Sequence, residues 1–192
     1  MTHRFKCRCG CFQAIVLGGY TSRGIICCCS DCRAFAKYCD ESILIDGGGI
    51  HLIEIPQNRF NILKGKNRVR ALRFSDGGLI RWFCDCCYTP IGNTRDNSIF
   101  SMLSLINFFP ETGFIEKDFR FFTSIIGRKS VNQEMKLREQ DSFVNWLGKM
   151  ARMLVYVISG KDRVSPFFYA DGKPISEPLI VSSELLYLLK NT

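Results

Sequence analysis

Arg81-Trp82-Phe83-Cys84-Asp85-Cys86-Cys87-Tyr88-Thr89-Pro90 runs a short apolar strand straight into a turn that carries three cysteines. Two more knots precede it, Cys7-Arg8-Cys9-Gly10-Cys11 and Cys27-Cys28-Cys29-Ser30-Asp31-Cys32, with Cys39 a little further on. These account for all eleven cysteines, and none follows Cys87. Thiolates two and three residues apart on tight turns can converge on one soft cation, and tetrahedral zinc is the usual occupant of such turns. An odd cysteine count cannot pair completely into disulfides, and a disulfide framework spreads its cysteines along the whole chain. Clustering therefore points to metal.

Around the knots the chain reads as β structure. Ala14–Leu17 and Ile43–Ile45 are short apolar strands ended by glycines. Ile50–Ile55 is a further strand that Pro56 stops. Arg68–Phe74 and Leu79–Phe83 flank a turn at Gly77-Gly78, and the second of them delivers the third knot. Strands meeting at cysteine-bearing turns suit a metal-pinned β domain, because the metal holds hairpin tips that have little core of their own. After residue 127 the character changes. Phe143, Trp146, Leu147, Met150, Met153, Leu154 and Val157 recur at helical spacing, which predicts an amphipathic helix within Val131–Ser159. Ala170–Lys173 reads as a tight turn, and Ser182-Ser183-Glu184 as the capped start of a short C-terminal helix. The expected organisation is a zinc-binding β domain over 1–127 and a helical, turn-rich extension over 128–192 packed on it.

Hydrophobic residues make up 46% of the 192, with sixteen Phe, so the chain can bury a sizeable core. No apolar run approaches the ~20 residues that span a bilayer, and the first ten residues lack an apolar signal core. The expectation is a cytoplasmic protein with no membrane segment. Net charge is +8, spread over both halves, which permits an anionic partner without requiring one. Lys64, Lys66, Arg68 and Arg70 alternate, and on one strand they would share a face. Few aromatics interleave with them, so nucleic acid is not the expected partner.

The spacings allow two kinds of site. Four thiolates close a structural zinc, whereas three leave a position for water or substrate. Cys7 and Cys9 with Cys84 and Cys87 give a closed set. Cys27, Cys29 and Cys32 give an open one, with Arg33 as the nearest cation in sequence to offset its negative charge. Cys11, Cys28, Cys39 and Cys86 are read as packing residues or spare thiols, and Cys86 could take the place of Cys84. Zinc, two per chain, is the expected cofactor. His3 and His51 are the only histidines, and His51 on a strand reads as structural.

The pattern of CxC, then CxCxxC about twenty residues on, then FCxxC with Thr89-Pro90 resembles the glutathione-dependent formaldehyde-activating (GFA-like) family. That family includes the centromere protein V relatives. The stretches Asp31–Tyr38 and Arg81–Thr94 look like a bacterial branch of it, and the resemblance covers residues 4–125. It implies a β-tent fold of small antiparallel sheets. It also implies structural zinc on Cys7, Cys9, Cys84 and Cys87, and a second, more exposed zinc on Cys27, Cys29 and Cys32. The implied activity is that of a carbon–sulfur lyase acting on glutathione, or another small thiol, with an aldehyde. Two departures stand out. Cys28 occupies a position that is often His in the family, and Tyr88 stands where Gly usually follows the last ligand. The alternative from another class is a non-catalytic, zinc-stabilised binding module with a basic face for an anionic partner.

Overall fold

A computed structural model of the chain describes residues 2–17, 23–45, 48–96, 102–106, 120–126 and 165–191. The helix expected within Val131–Ser159 lies outside these. The described residues are mainly β. The elements are β1 (Thr2–Lys6), β2 (Gln13–Leu17), β3 (Arg23–Cys27), α1 (Ser30–Cys39), β4 (Ile50–Pro56), β5 (Phe60–Lys64) and β6 (Val69–Arg73). They continue with β7 (Ile80–Cys84), β8 (Pro90–Thr94), β9 (Met102–Ile106), β10 (Arg120–Ile126), β11 (Leu179–Ile180) and α2 (Ser183–Asn191). Among the described residues no helix is long and apolar enough to cross a membrane.

Two sheets result. The smaller has the order β1-β2-β5 and is antiparallel throughout. The larger has eight strands in the order β10-β3-β4-β9-β8-β7-β6-β11. It is antiparallel inside, but each edge pair is parallel, β10 with β3 and β11 with β6. Small antiparallel sheets are thus only part of the picture. Parallel pairing needs a long crossover, and both edge strands arrive from far along the chain.

Strand alternation puts two different cores on the two faces of the large sheet. Ile80, Trp82 and Cys84 of β7 join one core, with Ile53 and Ile55 of β4 and Phe5, Phe12, Val16 and Phe60 of the small sheet. Phe83 of the same strand joins the other, with Ile50 and Leu52 of β4 and Ala34, Phe35 and Ala36 of α1. Cys7 and Cys84 belong to the first core; Cys27 and Cys32 belong to the second. The two groups of zinc ligands expected from the sequence therefore fall on opposite faces of one sheet.

The C-terminal segment completes both cores. Phe167 is fully buried, stacked on Trp82 at 4.9 Å and on Phe60 at 5.5 Å between ring centres. Its backbone N–H donates to Ser165 Oγ at 3.0 Å, and that hydroxyl donates to the buried Gln57. Gly172, at φ 84°, turns the chain back so that Tyr169 N–H meets Lys173 O at 2.8 Å. On the other face α2 packs against α1, where Lys190 pairs with Asp31 at 2.6 Å. The start of α2 is capped, with Leu185 N–H donating to Ser182 Oγ at 3.3 Å.

Two expectations need correction. Ile43–Ile45 is not a strand: Glu41–Ile43 is a 3-10 turn and Leu44 makes a single bridge to Ile50. Asp40 is the cause, because its carboxylate accepts from Ser42 N–H at 3.1 Å and draws the chain into a turn. The alternating basic residues do not share a strand face either. Lys64 ends β5, Gly65 sits at φ 76°, and Lys66–Arg68 is a 3-10 turn. Arg70 pairs with Asp85 at 2.8 Å, and Lys66 lies over the Tyr169 ring at 5.4 Å. The left-handed glycine breaks the alternation that a strand would have kept.

Gly92 of β8 lies where the backbone of β9 comes close. A Cβ there would meet the Ser104 carbonyl oxygen at 2.6 Å and Leu105 Cα at 3.0 Å, both backbone atoms. Gly92→Ala is expected to cost about 1–3 kcal/mol by forcing β8 from β9. Urea denaturation measures it, and an unchanged midpoint would contradict the close packing.

Candidate metal centres

The first centre is built by two hairpin tips from different sheets. Cys7–Cys11 turns β1 into β2, and Gly10 at φ 73° closes it, its N–H donating to Cys7 O at 2.9 Å. Cys84–Cys87 turns β7 into β8, where Cys84 N–H donates to Thr89 O at 2.9 Å. Thr89 ties the tips together: its Oγ1 accepts from Arg8 N–H at 3.1 Å and lies 3.1 Å from Cys87 Sγ. Tyr88 takes φ 53°, a left-handed conformation that costs a non-glycine residue about 1 kcal/mol. Its ring stacks on Phe83 at 5.6 Å and 18°, and that contact offsets the strain.

The sulfurs of Cys7, Cys84, Cys86 and Cys87 lie within 4.8 Å of one another, and so do those of Cys9, Cys11 and Cys86. Of the expected set, Cys7, Cys84 and Cys87 share one group. Cys9 falls in the adjoining one, 3.5 Å from Cys7. Cys86, read as a spare thiol, belongs to both groups, 3.3 Å from Cys84 and 4.0 Å from Cys7. A zinc–sulfur bond of about 2.3 Å in a tetrahedron places neighbouring sulfurs about 3.8 Å apart. The observed spacings bracket that edge, so the thiols present fit a soft metal ion. Burial pushes the Cys7 thiol up and Cys84 up to about 12, whereas a hydrogen bond with Cys86 draws the exposed Cys9 down to about 6. Phe12 N–H donates to Cys7 Sγ at 3.2 Å, a contact that favours its thiolate.

The second centre sits where β3 meets α1. Cys27 ends the strand, Cys29 is the N-cap of the helix and Cys32 lies in its first turn. Their sulfurs lie within 4.8 Å of one another, with Cys27 and Cys29 3.2 Å apart. Cys29 Sγ accepts from Cys32 N–H at 3.4 Å. Hydrogen bonds from the Cys27 and Cys32 thiols and this helix N–H bring Cys29 down to about 2. Sharing its hydrogen with Cys29 raises Cys27 to about 11, and Cys32 is raised by Cys27, Cys29 and burial. Cys29 thus carries the negative charge of the metal-free triad.

Each centre combines two buried cysteines with more accessible ones. Cys27 and Cys32 are buried and Cys29 is half-buried, whereas Cys9 and Cys86 of the first centre are exposed. The reason is α1, which roofs the second centre while the hairpin tips face outward. Cys28 is fully buried, its sulfur 3.0 Å from where a Gly49 Cβ would stand, and it joins none of these groups. Arg33 is half-buried on α1 and its charge acts on Cys28.

The cation whose charge acts on Cys29 is Arg81. Its side chain is 3% exposed and pairs with Asp31 at 3.5 Å. It lies over Phe74 at 4.6 Å and donates to Asn93 Oδ1 at 3.4 Å. The sequence places Arg81 between Ile80 and Trp82 on an apolar strand, which is the one signal that it points into a core.

Acid is expected to weaken metal binding at the second centre steeply. Cys27 and Cys32 hold protons at neutral pH that a bound ion must displace, while Cys29 holds none. Release of two protons changes apparent affinity about 100-fold per pH unit, with affinity falling as pH falls. Competition of the wild-type chain with a chromophoric chelator between pH 6 and 8 measures this on the weaker phase, since three thiolates hold an ion less tightly than four. A flat profile would contradict the assignment.

No curated protein matches the chain, and no solved structure matches it. A family described as of unknown function (DUF6151) matches residues 3–111, a stretch that includes all eleven cysteines, both centres and Arg81. That match spans more than half of the chain, and the chain belongs to the DUF6151 family.

Proposed function

We propose that the chain is a GFA-like zinc protein in which an open centre on Cys27, Cys29 and Cys32 acts on a small thiol and an aldehyde. The observation that carries this is the convergence of Cys27, Cys29 and Cys32 as a three-sulfur set. Zinc held there would act as a Lewis acid that brings an incoming thiol such as glutathione toward its thiolate form at neutral pH. The residues supply the setting. Cys29, half-buried at the helix N-cap, is the side from which a substrate sulfur can approach. Arg81 offsets the negative charge of the thiolates and takes the part that the sequence assigns to Arg33. Its Nε is buried without a hydrogen-bond partner among the described residues, a donor left for an anionic group.

In the reaction the thiolate sulfur adds its electron pair to the aldehyde carbon. A carbon–sulfur bond forms, the carbonyl π pair moves to oxygen, and that oxygen takes up the proton the thiol released. The product is the hemithioacetal, and the reverse step is the lyase direction. The alternative of a binding module with a basic face has less support, since its four charges do not share a strand.

Exchange NMR of formaldehyde with glutathione tests the proposal. Zinc-loaded protein is expected to speed the exchange at least tenfold over buffer, and Cys32→Ser to abolish the effect with unchanged far-UV circular dichroism. Exchange at the buffer rate with the wild-type protein would overturn it.

A further inference from the structure

We infer that the hairpin-tip centre holds two soft divalent ions bridged by the Cys86 thiolate, rather than a single zinc. Six thiols converge there from two turns, and they form two groups with Cys86 in common. The group of Cys7, Cys84, Cys86 and Cys87 supplies four sulfurs, enough to close one tetrahedral ion. Cys9, Cys11 and Cys86 supply three more contacts beside it, and a water or an external thiol completes the second ion.

Three observations favour sharing over a lone ion with spare thiols. Cys86 lies 3.3 Å from Cys84, 3.7 Å from Cys87 and 4.0 Å from Cys7, about the edge of one tetrahedron. It is nonetheless exposed, as is Cys9, and the two sulfurs lie within 4.8 Å of each other and of Cys11. Chain topology supplies the third: Cys9 is 3.5 Å from Cys7, so the second ion would extend the same sulfur cage. Charge also favours it. Six thiolates around two divalent ions leave the same net charge as four around one. The second ion thus adds two ligands at no cost in net charge.

Loading the purified full chain with NMR-active cadmium tests this. Three cadmium ions per chain are expected, with two resonances coupled to each other through the shared sulfur and one uncoupled. Cys11→Ser should lower the count to two and remove the coupling. Cys27→Ser should remove only the uncoupled resonance, which separates this centre from the one proposed for catalysis. If Cys11→Ser fails to fold, the exposed Cys9→Ser serves in its place. Two ions per chain in the wild type, or three with no coupled pair, would overturn the bridge.

Discussion

Stripping metal from the hairpin-tip centre is expected to abolish the cooperative unfolding transition of the chain. The tips belong to different sheets, β1–β2 to the small one and β7–β8 to the large one, and their sulfurs close the gap between them. Cys7 and Cys84 are buried in the shared core, so loss of the metal also leaves two protonated thiols there without their ligand bonds. Structural zinc contributes about 10–16 kcal/mol of binding free energy in small metal-dependent domains. A domain has only about 5–15 kcal/mol of net stability, so even part of that contribution decides the outcome. Circular dichroism melts with and without a strong chelator measure the effect, and Cys84→Ser should reproduce the chelated state. Cys39, outside all three sulfur groups, is the control, and Cys39→Ala should keep a cooperative melt. Superimposable melts with and without chelator would remove the centre from any structural role.

Phe167→Ala is expected to cost about 3–5 kcal/mol, the usual range for emptying a buried aromatic site. The ring is fully buried against Trp82 and Phe60, which come from the two different sheets. Its loss opens a cavity where the sheets meet, and Trp82 is pinned by its own hydrogen bond to Thr94 at 2.9 Å and cannot move freely to fill it. For a chain of this length each kcal/mol corresponds to about 2–4 °C in Tm, so the melt should fall by about 6–20 °C. Tyr169→Ala, at an exposed ring two residues on, should change little. A loss under about 1 kcal/mol for Phe167→Ala would mean that residues 165–175 rest on the β domain without completing it.

Much of the local structure was legible in the residues. Ala14–Leu17, Ile50–Ile55, Arg68–Phe74 and Leu79–Phe83 all lie on strands within a residue or two of their expected ends. Their periodicity and flanking glycines reflect local sterics, which neighbours in sequence suffice to set. Ile43–Ile45 misled because three apolar residues in a row fit a strand or a turn, and the Asp40 cap that decided between them acts from outside the run. The site was legible as three knots but not as contacts. Cys86 looked like a spare because CxxC spacing favours Cys84 and Cys87, yet its sulfur lies within reach of every other sulfur at that pole named in either group. Arg81 could not be singled out from charge alone, because a strand residue faces a core or solvent according to what covers that side, and here α1 covers it.

By itself, the sequence determined that this is a mainly β chain with cysteine-bearing hairpin tips, because turn chemistry and strand alternation are local properties. Only the tertiary structure decided that the two sulfur centres lie on opposite faces of one eight-stranded sheet. It also decided that Cys86 lies within reach of both hairpin-tip groups, and that Phe167 fills the seam between the sheets. The physical reason is the same each time. Which thiols converge and which side chains are covered depend on elements that meet across tens of residues, and spacing along the chain carries no record of that meeting.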